Sequence, residues 1–197
     1  MMVRQEERRS RTRAAILVAA TKKFGNAGFA ETTVDAIASD ASVAKGAVYH
    51  HFQNKEELFE CVFEEVSTDL AKTVASTAQT ARDPLENLMD ATRTYFRLCS
   101  EPSVSRITLQ DAPSVLGYER WRALDNLHFG GVVAGGLGLA MQAGAIASQP
   151  IEPLSNIVLA AIQAAALDCA AQADFEAAAS TYLKTLEGLL AGIATRG

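Results

Sequence analysis

Residues 32–55 read TTVDAIASDASVAKGAVYHHFQNK, and this stretch decides the fold of the N-terminal part of the chain. Thr33 supplies a hydroxyl N-cap for a short amphipathic helix, whose apolar residues recur at helical spacing: Val34, Ile37, Ala38 and Ala41. After the turn at 40–43, a second short helix runs from Ala44 towards Phe52. Two helices joined by so short a turn cross steeply, which predicts a helix-turn-helix whose second helix enters a DNA major groove.

The side chains outside the small core of this helix pair suit contacts with DNA. Lysine ammonium groups attract phosphates, and tyrosine and histidine donate hydrogen bonds that fix the register. Gly46 and Ala47 are small, so the front of the helix can approach the bases, and the Ala47 methyl can meet a thymine methyl. The alternative is a helical hairpin with a solvated face. The predicted DNA-contacting residues are Thr33, Lys45, Gly46, Ala47, Tyr49, His50, His51 and Lys55.

Four short motifs carry a resemblance to a known family: FAETTV at 29–34, IA at 37–38, VAKGAVYHHF at 43–52 and NKEEL at 54–58. Together they resemble the DNA-binding domain of the TetR family of bacterial transcriptional regulators, over roughly residues 10 to 60. The remainder is similar to the family in length and helical character only. Two departures stand out. Ser42 occupies a position where the family usually has Gly, and Ala44 one where it often has Ser or Thr, so Ser42 is expected to take over the capping.

The resemblance implies an all-α fold with two domains. Residues 1–55 are expected to form a three-helix DNA-binding domain with a basic arm, and residues 56–197 a larger helical domain for effector binding and dimerisation. The family's partners are a palindromic operator in double-stranded DNA, a small-molecule effector and a second copy of the chain. Symmetry supports the dimer, because two recognition helices must meet successive major grooves about 34 to 36 Å apart. A monomer that seals its own core with the same helices is the alternative.

Charge is divided unevenly along a chain whose formal net charge is -5. Residues 1–55 carry nine Lys or Arg against five Asp or Glu, a net charge of +4, and residues 56–197 carry nine against eighteen, a net charge of -9. A basic end beside an acidic body is the distribution expected of a protein that meets DNA with one end only. A basic tail without a nucleic-acid partner is the alternative.

Composition independently indicates an all-α protein from a reducing compartment. The chain has 197 residues, of which 49% are hydrophobic, so it can bury a sizeable core. Gly and Pro fall mostly at predicted helix ends. Cys61, Cys99 and Cys169 form no CxxC pair, which points to the cytoplasm. The polar start MMVRQEERRSR does not fit a signal peptide, and no uninterrupted apolar run is long enough to span a bilayer.

Local signals place further helices along the chain. The arginines between Arg4 and Arg13 form a basic arm before a first helix, whose apolar stripe ends at Gly25 and Gly28. Capping residues then open later helices, and they are Asn54 with Glu57, Asp83 with Pro84 and Glu86, and Asp174. Helices are predicted at 83–100, 103–110, 117–142, 153–172 and from 174 onward. A loop is expected at 80–82, and a break at 111–113.

The sequence offers only candidates for an effector pocket. Glycines at 130, 131, 135, 136 and 138 interrupt the helix predicted at 117–142. Gly131 and Gly135 stack on one face, which allows close helix approach, leaves room for a ligand, or merely kinks the helix. Aromatic surface with a few polar groups is typical of small-molecule pockets, and plain core is the alternative. The acidic, apolar body favours a hydrophobic or cationic effector. The candidate ligand-binding residues are Tyr95, Phe96, Gln110, Trp121, His128, Met141 and Gln163.

Catalytic and metal-binding patterns are weak in this chain. Adjacent His50 and His51 point about 100° apart on a helix and do not form an i, i+4 metal site. The grouping of Glu119, Asp125 and His128 has a spacing that is ordinary for an exposed helix face. We therefore predict a cytoplasmic homodimeric repressor without a cofactor, released from its operator by a small molecule. The alternative is a helical protein-interaction module whose basic end serves only solubility.

Overall fold

The structure, a computed structural model, describes residues 2–77 and 83–194, with side chains from residue 5 onward. In these ranges the chain is helical, and a bridge pairs Ile146 with Ala194. The all-α fold is therefore confirmed. The loop predicted at 80–82 lies outside the described residues. The helices are α1 Met2–Glu31, α2 Val34–Asp40, α3 Lys45–His51, α4 Lys55–Thr77, α5 Pro84–Cys99, α6 Pro102–Ser105, a π-helical turn Arg106–Asp111, α7 Ala112–Val115, α8 Tyr118–Gln142, α9 Ile151–Ala170 and α10 Phe175–Ile193.

The chain divides into two compact units, each assembled from two stretches of sequence. The N-terminal unit contains Met1–Val66 and Pro102–Tyr118, and the C-terminal unit contains Ser67–Glu101 and Glu119–Gly197. The boundary predicted between residues 55 and 56 falls at the start of α4, a helix that begins in the first unit and ends in the second. Residues 102–118 thus belong with the helix-turn-helix despite their distance from it along the chain.

The first helix buries the apolar stripe that its sequence predicts. Ile16, Leu17, Ala20 and Phe24 are all at most 2% exposed. Regular helical geometry stops at Gly28, whose φ of 81° is a left-handed conformation that glycine adopts without a steric penalty. Residues 2–13 already belong to α1, so the predicted arm is not a separate extended segment. Its arginines instead lie along the first turns of the helix.

Side-chain caps open the helices at the predicted places. Thr33, Asp83 and Asp174 each accept a hydrogen bond from a first-turn backbone amide, at 3.2, 2.8 and 2.9 Å respectively. Asn54 accepts from the amide of Glu57 at 2.7 Å, and the Glu57 carboxylate reaches back to a backbone amide at 2.6 Å. Each bond satisfies an amide that has no partner within its helix, which stabilises the helix by about 1 kcal/mol.

The break predicted at 111–113 is wrong. The chain remains helical through Ala112 and Pro113, and it turns instead near Gly117, which has a φ of 80°. Pro113 lies in the first turn of α7, where its missing N–H removes no required helical bond. The preceding turn is π-helical, a geometry that often marks functional segments.

The glycines of α8 do not break the helix, which is continuous from Tyr118 to Gln142. A β-carbon added at Gly131 or Gly135 would have no neighbouring atom within 4 Å, so these glycines do not mediate a close helix contact. At Gly136 it would lie 3.3 Å from the Cδ1 atom of Leu88 on α5. Among the glycines of α8, it is therefore Gly136 that allows this helix to pack closely against α5.

The C-terminal unit packs α5 against α9 and α10 around a core that includes the fully buried Trp121 and Leu137. α9 is long and apolar enough to cross a membrane by length and composition, with a mean hydropathy of 1.4, although polar residues interrupt it. Only 33% of its most apolar window is buried within the chain. An exposed apolar face of this kind marks an interaction surface.

Candidate DNA-binding surface and ligand cavity

The turn between α2 and α3 is built on Ser42 in a left-handed conformation, with a φ of 55°. The Ser42 amide bonds to the carbonyl of Ser39 at 3.1 Å, and the Val43 amide bonds to the carbonyl of Ala38 at 3.0 Å. Glycine adopts this conformation more readily than serine, because a β-carbon crowds the backbone there. The expected capping by Ser42 is wrong, since α3 begins at the N-cap Ala44 without any side-chain cap.

One face of α3 is buried and the other is open. Val48 and the following Phe52 are each 2% exposed and anchor the helix to the core of the N-terminal unit. A β-carbon on Gly46 would meet no atom within 4 Å, so the front of α3 is unobstructed. Of the other predicted DNA-contacting residues on this helix, Lys45, Tyr49 and His50 are exposed and Ala47 and His51 are half-buried.

The two predicted lysines are held differently. The Lys45 ammonium forms an exposed ion pair with Asp35 of α2, with an Nζ–Oδ2 distance of 2.7 Å. The hydrogen bond that it donates to this carboxylate raises the pKa of Lys45. The Lys55 ammonium donates to the carbonyls of Phe29 and Thr32, at 2.9 and 3.1 Å, and lies 4.0 Å from the centre of the Phe29 ring. Lys55 therefore caps carbonyls at the end of α1.

Positive charge lies beside the end of α3. Burial lowers the pKa of His51, and the charges of neighbouring His50, Arg9 and Arg13 lower it further. The Arg13 guanidinium lies 5.2 Å from the centre of the Phe52 ring and donates to the Cys61 sulfur at 3.5 Å. These contacts fix the arginine stem against the helix-turn-helix, as cation–π pairs do.

Residues 102–111 hold the last turn of α1 within the N-terminal unit. The backbone amide of Phe29, just after the left-handed Gly28, donates to the Asp111 carboxylate at 2.7 Å. The Arg106 guanidinium donates to the carbonyl of Asn26. No local sequence signal pairs these residues, because Phe29 and Asp111 are 82 positions apart.

The predicted ligand-binding residues are only partly brought together. Tyr95 lines a pocket together with Asp125, and Gln163 donates a hydrogen bond to Asp125. Phe96 lines a separate cleft between α5 and α10. Gln110 belongs to the N-terminal unit, where its amide lies 3.4 Å from the Ser105 hydroxyl. The remaining candidates lie on α8: Trp121 is fully buried, and His128 and Met141 are half-buried.

Asp125 is a site residue that sequence reasoning placed wrongly. It was expected on an exposed helix face, yet it is 5% exposed. Its Oδ2 atom accepts a hydrogen bond from the Gln163 amide at 2.7 Å, and Gln163 also donates to Asn126 at 3.1 Å. Burial raises the pKa of Asp125 from 3.8 to about 6, opposed by the Gln163 bond. The interval of four residues from Trp121, a clear core residue, is the signal that could have indicated an inward orientation.

The three cysteines are free, and burial raises the pKa of each thiol, for Cys169 to about 11. They are therefore protonated near neutral pH and poor nucleophiles. Among the described residues, no group of three or more His, Cys, Asp or Glu side chains is arranged to hold a metal ion.

Two family models match the chain. Residues 16–62 match the model for bacterial regulatory proteins of the tetR family, and residues 85–193 match the tetracyclin repressor-like C-terminal domain. A solved TetR-family transcriptional regulator from Pectobacterium atrosepticum is 27% identical, covers 96% of this chain and 97% of its own, and superposes with a TM-score of 0.86.

Curated relatives match part of the chain. The HTH-type transcriptional regulator YhgD of Bacillus subtilis is 45% identical over 69 residues, which are 35% of this chain and 34% of the relative. The HTH-type transcriptional regulator TtgR of Pseudomonas putida is 40% identical over 88 residues, 43% of this chain and 41% of the relative. The chain thus matches about a third to two fifths of these relatives' length.

The fold, the open face of α3 and these matches define a helix-turn-helix transcriptional regulator. The match to the C-terminal domain model, over residues 85–193, alone spans more than half of the chain, and the match over residues 16–62 covers the helix-turn-helix. The chain belongs to the TetR family, whose members are DNA-binding regulators rather than enzymes.

Proposed function

We propose that this protein is a cytoplasmic, dimeric repressor that leaves a palindromic operator when a small molecule binds in its C-terminal unit. The main support for this proposal is the exposed face of α3, on which Lys45, Tyr49 and His50 surround an unobstructed Gly46. This face lies in a basic segment, and DNA binding by such a surface releases counterions and falls with salt. The match to a tetracyclin repressor-like domain supports repression as the mode of regulation.

The lysines take distinct roles in this proposal. Lys45 exchanges its exposed partner Asp35 for a DNA phosphate, at small cost because exposed ion pairs are weak. Lys55 instead holds the end of α1 against the start of α4 through its two hydrogen bonds to backbone carbonyls, and so positions the helix-turn-helix. Thr33 caps α2 by accepting a hydrogen bond from the Ala36 amide. In this proposal the cap holds the first turn of α2 close to the DNA-binding surface.

Dimerisation through α9 and α10 accounts for their exposed apolar residues. Ile157 is 68% exposed and Leu189 is 60% exposed, and both line an apolar cleft of about 180 Å³ formed by α5, α9 and α10. Two such pairs of helices form a four-helix bundle across a twofold axis. Ile157→Asp is expected to give monomers by analytical ultracentrifugation. Leu127→Asp, at a 74% exposed position on α8, is the matched control and is expected to remain dimeric.

Effector binding is proposed to reach the DNA-binding surface through α4 and residues 102–118. α4 runs from the N-terminal into the C-terminal unit, and residues 102–118 are joined at both ends to C-terminal helices. The contacts of Asp111 with Phe29 and of Arg106 with Asn26 connect this segment to the end of α1. An effector acts if it binds one arrangement of these helices more tightly than the other.

Selection of genomic fragments by the purified protein tests the proposed function. We expect one imperfect palindrome to be enriched and to lose affinity in Tyr49→Ala. Lys45→Ala is matched by Lys72→Ala, since Lys72 has a similar exposed pair with Asp69. Only the first of these two variants is expected to weaken binding. Equal binding by all variants, or no enrichment over random DNA, would overturn the proposal and favour an interaction module.

A further inference from the structure

Gly25 is buried in α1 at a point where another helix of the N-terminal unit lies very close to it. A β-carbon added at Gly25 would lie 2.8 Å from the β-carbon of Ser103 on α6 and 3.4 Å from its α-carbon. Carbon atoms pack at about 3.5 Å or more, so such a side chain would drive α1 and α6 apart by roughly 0.7 Å. The contact between these two helices therefore requires glycine at position 25.

Hydrogen bonds hold the same part of α1 close to the segment that follows α6. The Phe29 amide donates to the Asp111 carboxylate at 2.7 Å, and the Arg106 guanidinium donates to the carbonyl of Asn26. The steric contact and the two hydrogen bonds thus join the end of α1 to this segment over more than one helical turn. We call the contact of residues 25–29 with residues 103–111 the α1 junction.

The end of α1 is also packed against α4. Phe24, directly before Gly25, is fully buried, and its ring lies edge to face with the ring of Phe59 on α4, with centroids 5.2 Å apart. The Phe29 ring lies 5.3 Å from the same Phe59 ring. Packed interiors of this kind transmit a displacement, because they hold few voids that could absorb it. A shift of α1 at Gly25 is therefore passed on to the helices around it.

The helix-turn-helix is built on α1. α2 packs against α1, and α3 packs against both of them. The Lys55 ammonium, at the start of α4, donates to the carbonyl of Phe29, so both sides of this residue's backbone are held. A wider α1 junction would reorient α2 and α3 together. In a twofold dimer this changes the distance between the two recognition helices, which has to match the spacing of the half-sites.

We propose that Gly25 and Ser103 are positioning residues for operator binding. Their contact sets the α1 junction to the width at which both recognition helices of a dimer fit one half-site spacing. Both residues act through α1 and not by touching DNA. The inference rests on the proposed binding of a palindromic operator, and it names the width of the α1 junction as the structural variable on which operator affinity depends.

Fluorescence-anisotropy titrations of the full-length protein with the enriched palindrome and with a random duplex test this role. We expect Gly25→Ala to bind the palindrome at least tenfold more weakly than the wild type and the random duplex equally well, because the exposed face of α3 is unchanged. Adding Ser103→Gly removes the β-carbon at 2.8 Å and should restore the affinity for the palindrome. Gly135→Ala makes the same change where a β-carbon meets no atom within 4 Å, and should bind as the wild type does.

The preference for half-site spacing separates positioning from a general loss of structure. Palindromes whose half-sites lie one base pair closer together or further apart are titrated with the same proteins. Gly25→Ala should shift its preference towards one of these altered spacings, whereas Gly135→Ala should keep the wild-type preference. Alanine favours a helix more than glycine does, so α1 itself should remain helical in Gly25→Ala, which circular dichroism checks.

Wild-type affinity of Gly25→Ala for the palindrome would overturn the inference, as would an equal loss of affinity for the random duplex. An unchanged spacing preference, or no recovery on adding Ser103→Gly, would also overturn it. Lys45→Ala is measured alongside to keep the proposed function distinct. If the wild type binds the palindrome and Lys45→Ala binds it weakly, while Gly25→Ala binds like the wild type, this inference fails and the proposed function stands.

Discussion

Asp125→Asn is expected to stabilise the ligand-free protein, and increasingly so as the pH rises. The folded-state pKa of about 6 exceeds the ordinary value of 3.8 because the carboxyl group is buried, so the folded state prefers the protonated form. The stability provided by that proton is fully present below pH 3.8 and is lost as the pH rises towards and through 6. Asparagine does not titrate, and it retains an acceptor for Gln163.

The size of the effect follows from the two pKa values. At about 1.4 kcal/mol for each pH unit between them, the wild type loses about 3 kcal/mol in total, and about half of this lies between pH 5 and pH 8. Tyr95 and Cys99 lie beside Asp125, and burial raises the pKa of each, so neither gains charge in this range. The stability difference between variant and wild type should therefore widen by about 1.4 kcal/mol from pH 5 to pH 8.

Urea unfolding followed by circular dichroism, at pH 5 and at pH 8, measures this difference directly. Asp168→Asn makes the same substitution at an exposed site on α9 and is the control for replacing a carboxylate by an amide. A stability difference between Asp125→Asn and the wild type that is the same at pH 5 and pH 8 would contradict this prediction, because it would mean that the pKa of Asp125 is the same in the folded and unfolded states. A stability difference that becomes smaller from pH 5 to pH 8 would also contradict the prediction, because it would mean that folding lowers the pKa of Asp125 instead of raising it.

Four further substitutions test local features by urea unfolding. Ala44→Ser supplies the missing cap of α3 and should stabilise the protein by about 1 kcal/mol, so an unchanged midpoint would contradict the cap geometry. Gly135→Ala should stabilise α8 by up to about 1 kcal/mol, whereas Gly136→Ala should gain less because its β-carbon crowds α5, and equal gains would contradict this packing. Asp111→Ala removes the acceptor of the Phe29 amide and should cost about 1 to 2 kcal/mol, while wild-type stability would argue against the contact.

Local chemistry made much of the fold predictable. The caps at Thr33, Asp83 and Asp174 depend on residues two or three positions away, and all three form as the sequence indicates. The core stripe of α1 and the buried face of α3 likewise follow from helical periodicity. The DNA-contacting residues remain predictions, but the structure places those on α3 on its exposed or half-buried face.

Long-range packing decided what the sequence left open. Asp125 looked like a surface residue because α8 has no clear apolar face, and only its packing against α9 shows that the carboxylate is buried. The return of residues 102–118 to the N-terminal unit depends on the contact of Asp111 with Phe29, which no short-range pattern encodes. Pro113 indicated a break because proline is unfavourable inside a helix. It is tolerated here because the preceding π-helical turn ends at Asp111 and places Pro113 in the first turn of α7, which the sequence did not indicate.

The most direct test of the central claim is a fluorescence-anisotropy titration of the enriched DNA fragment over a salt series, with wild type and Lys45→Ala. If α3 reads the DNA, a dimer binds one palindrome, and log affinity falls linearly with log salt concentration. Lys45→Ala then weakens binding and makes this slope shallower, because each protein monomer makes one phosphate contact fewer. An affinity that does not depend on salt, or an unchanged slope and affinity in Lys45→Ala, would contradict the assignment of α3 as the DNA-reading helix.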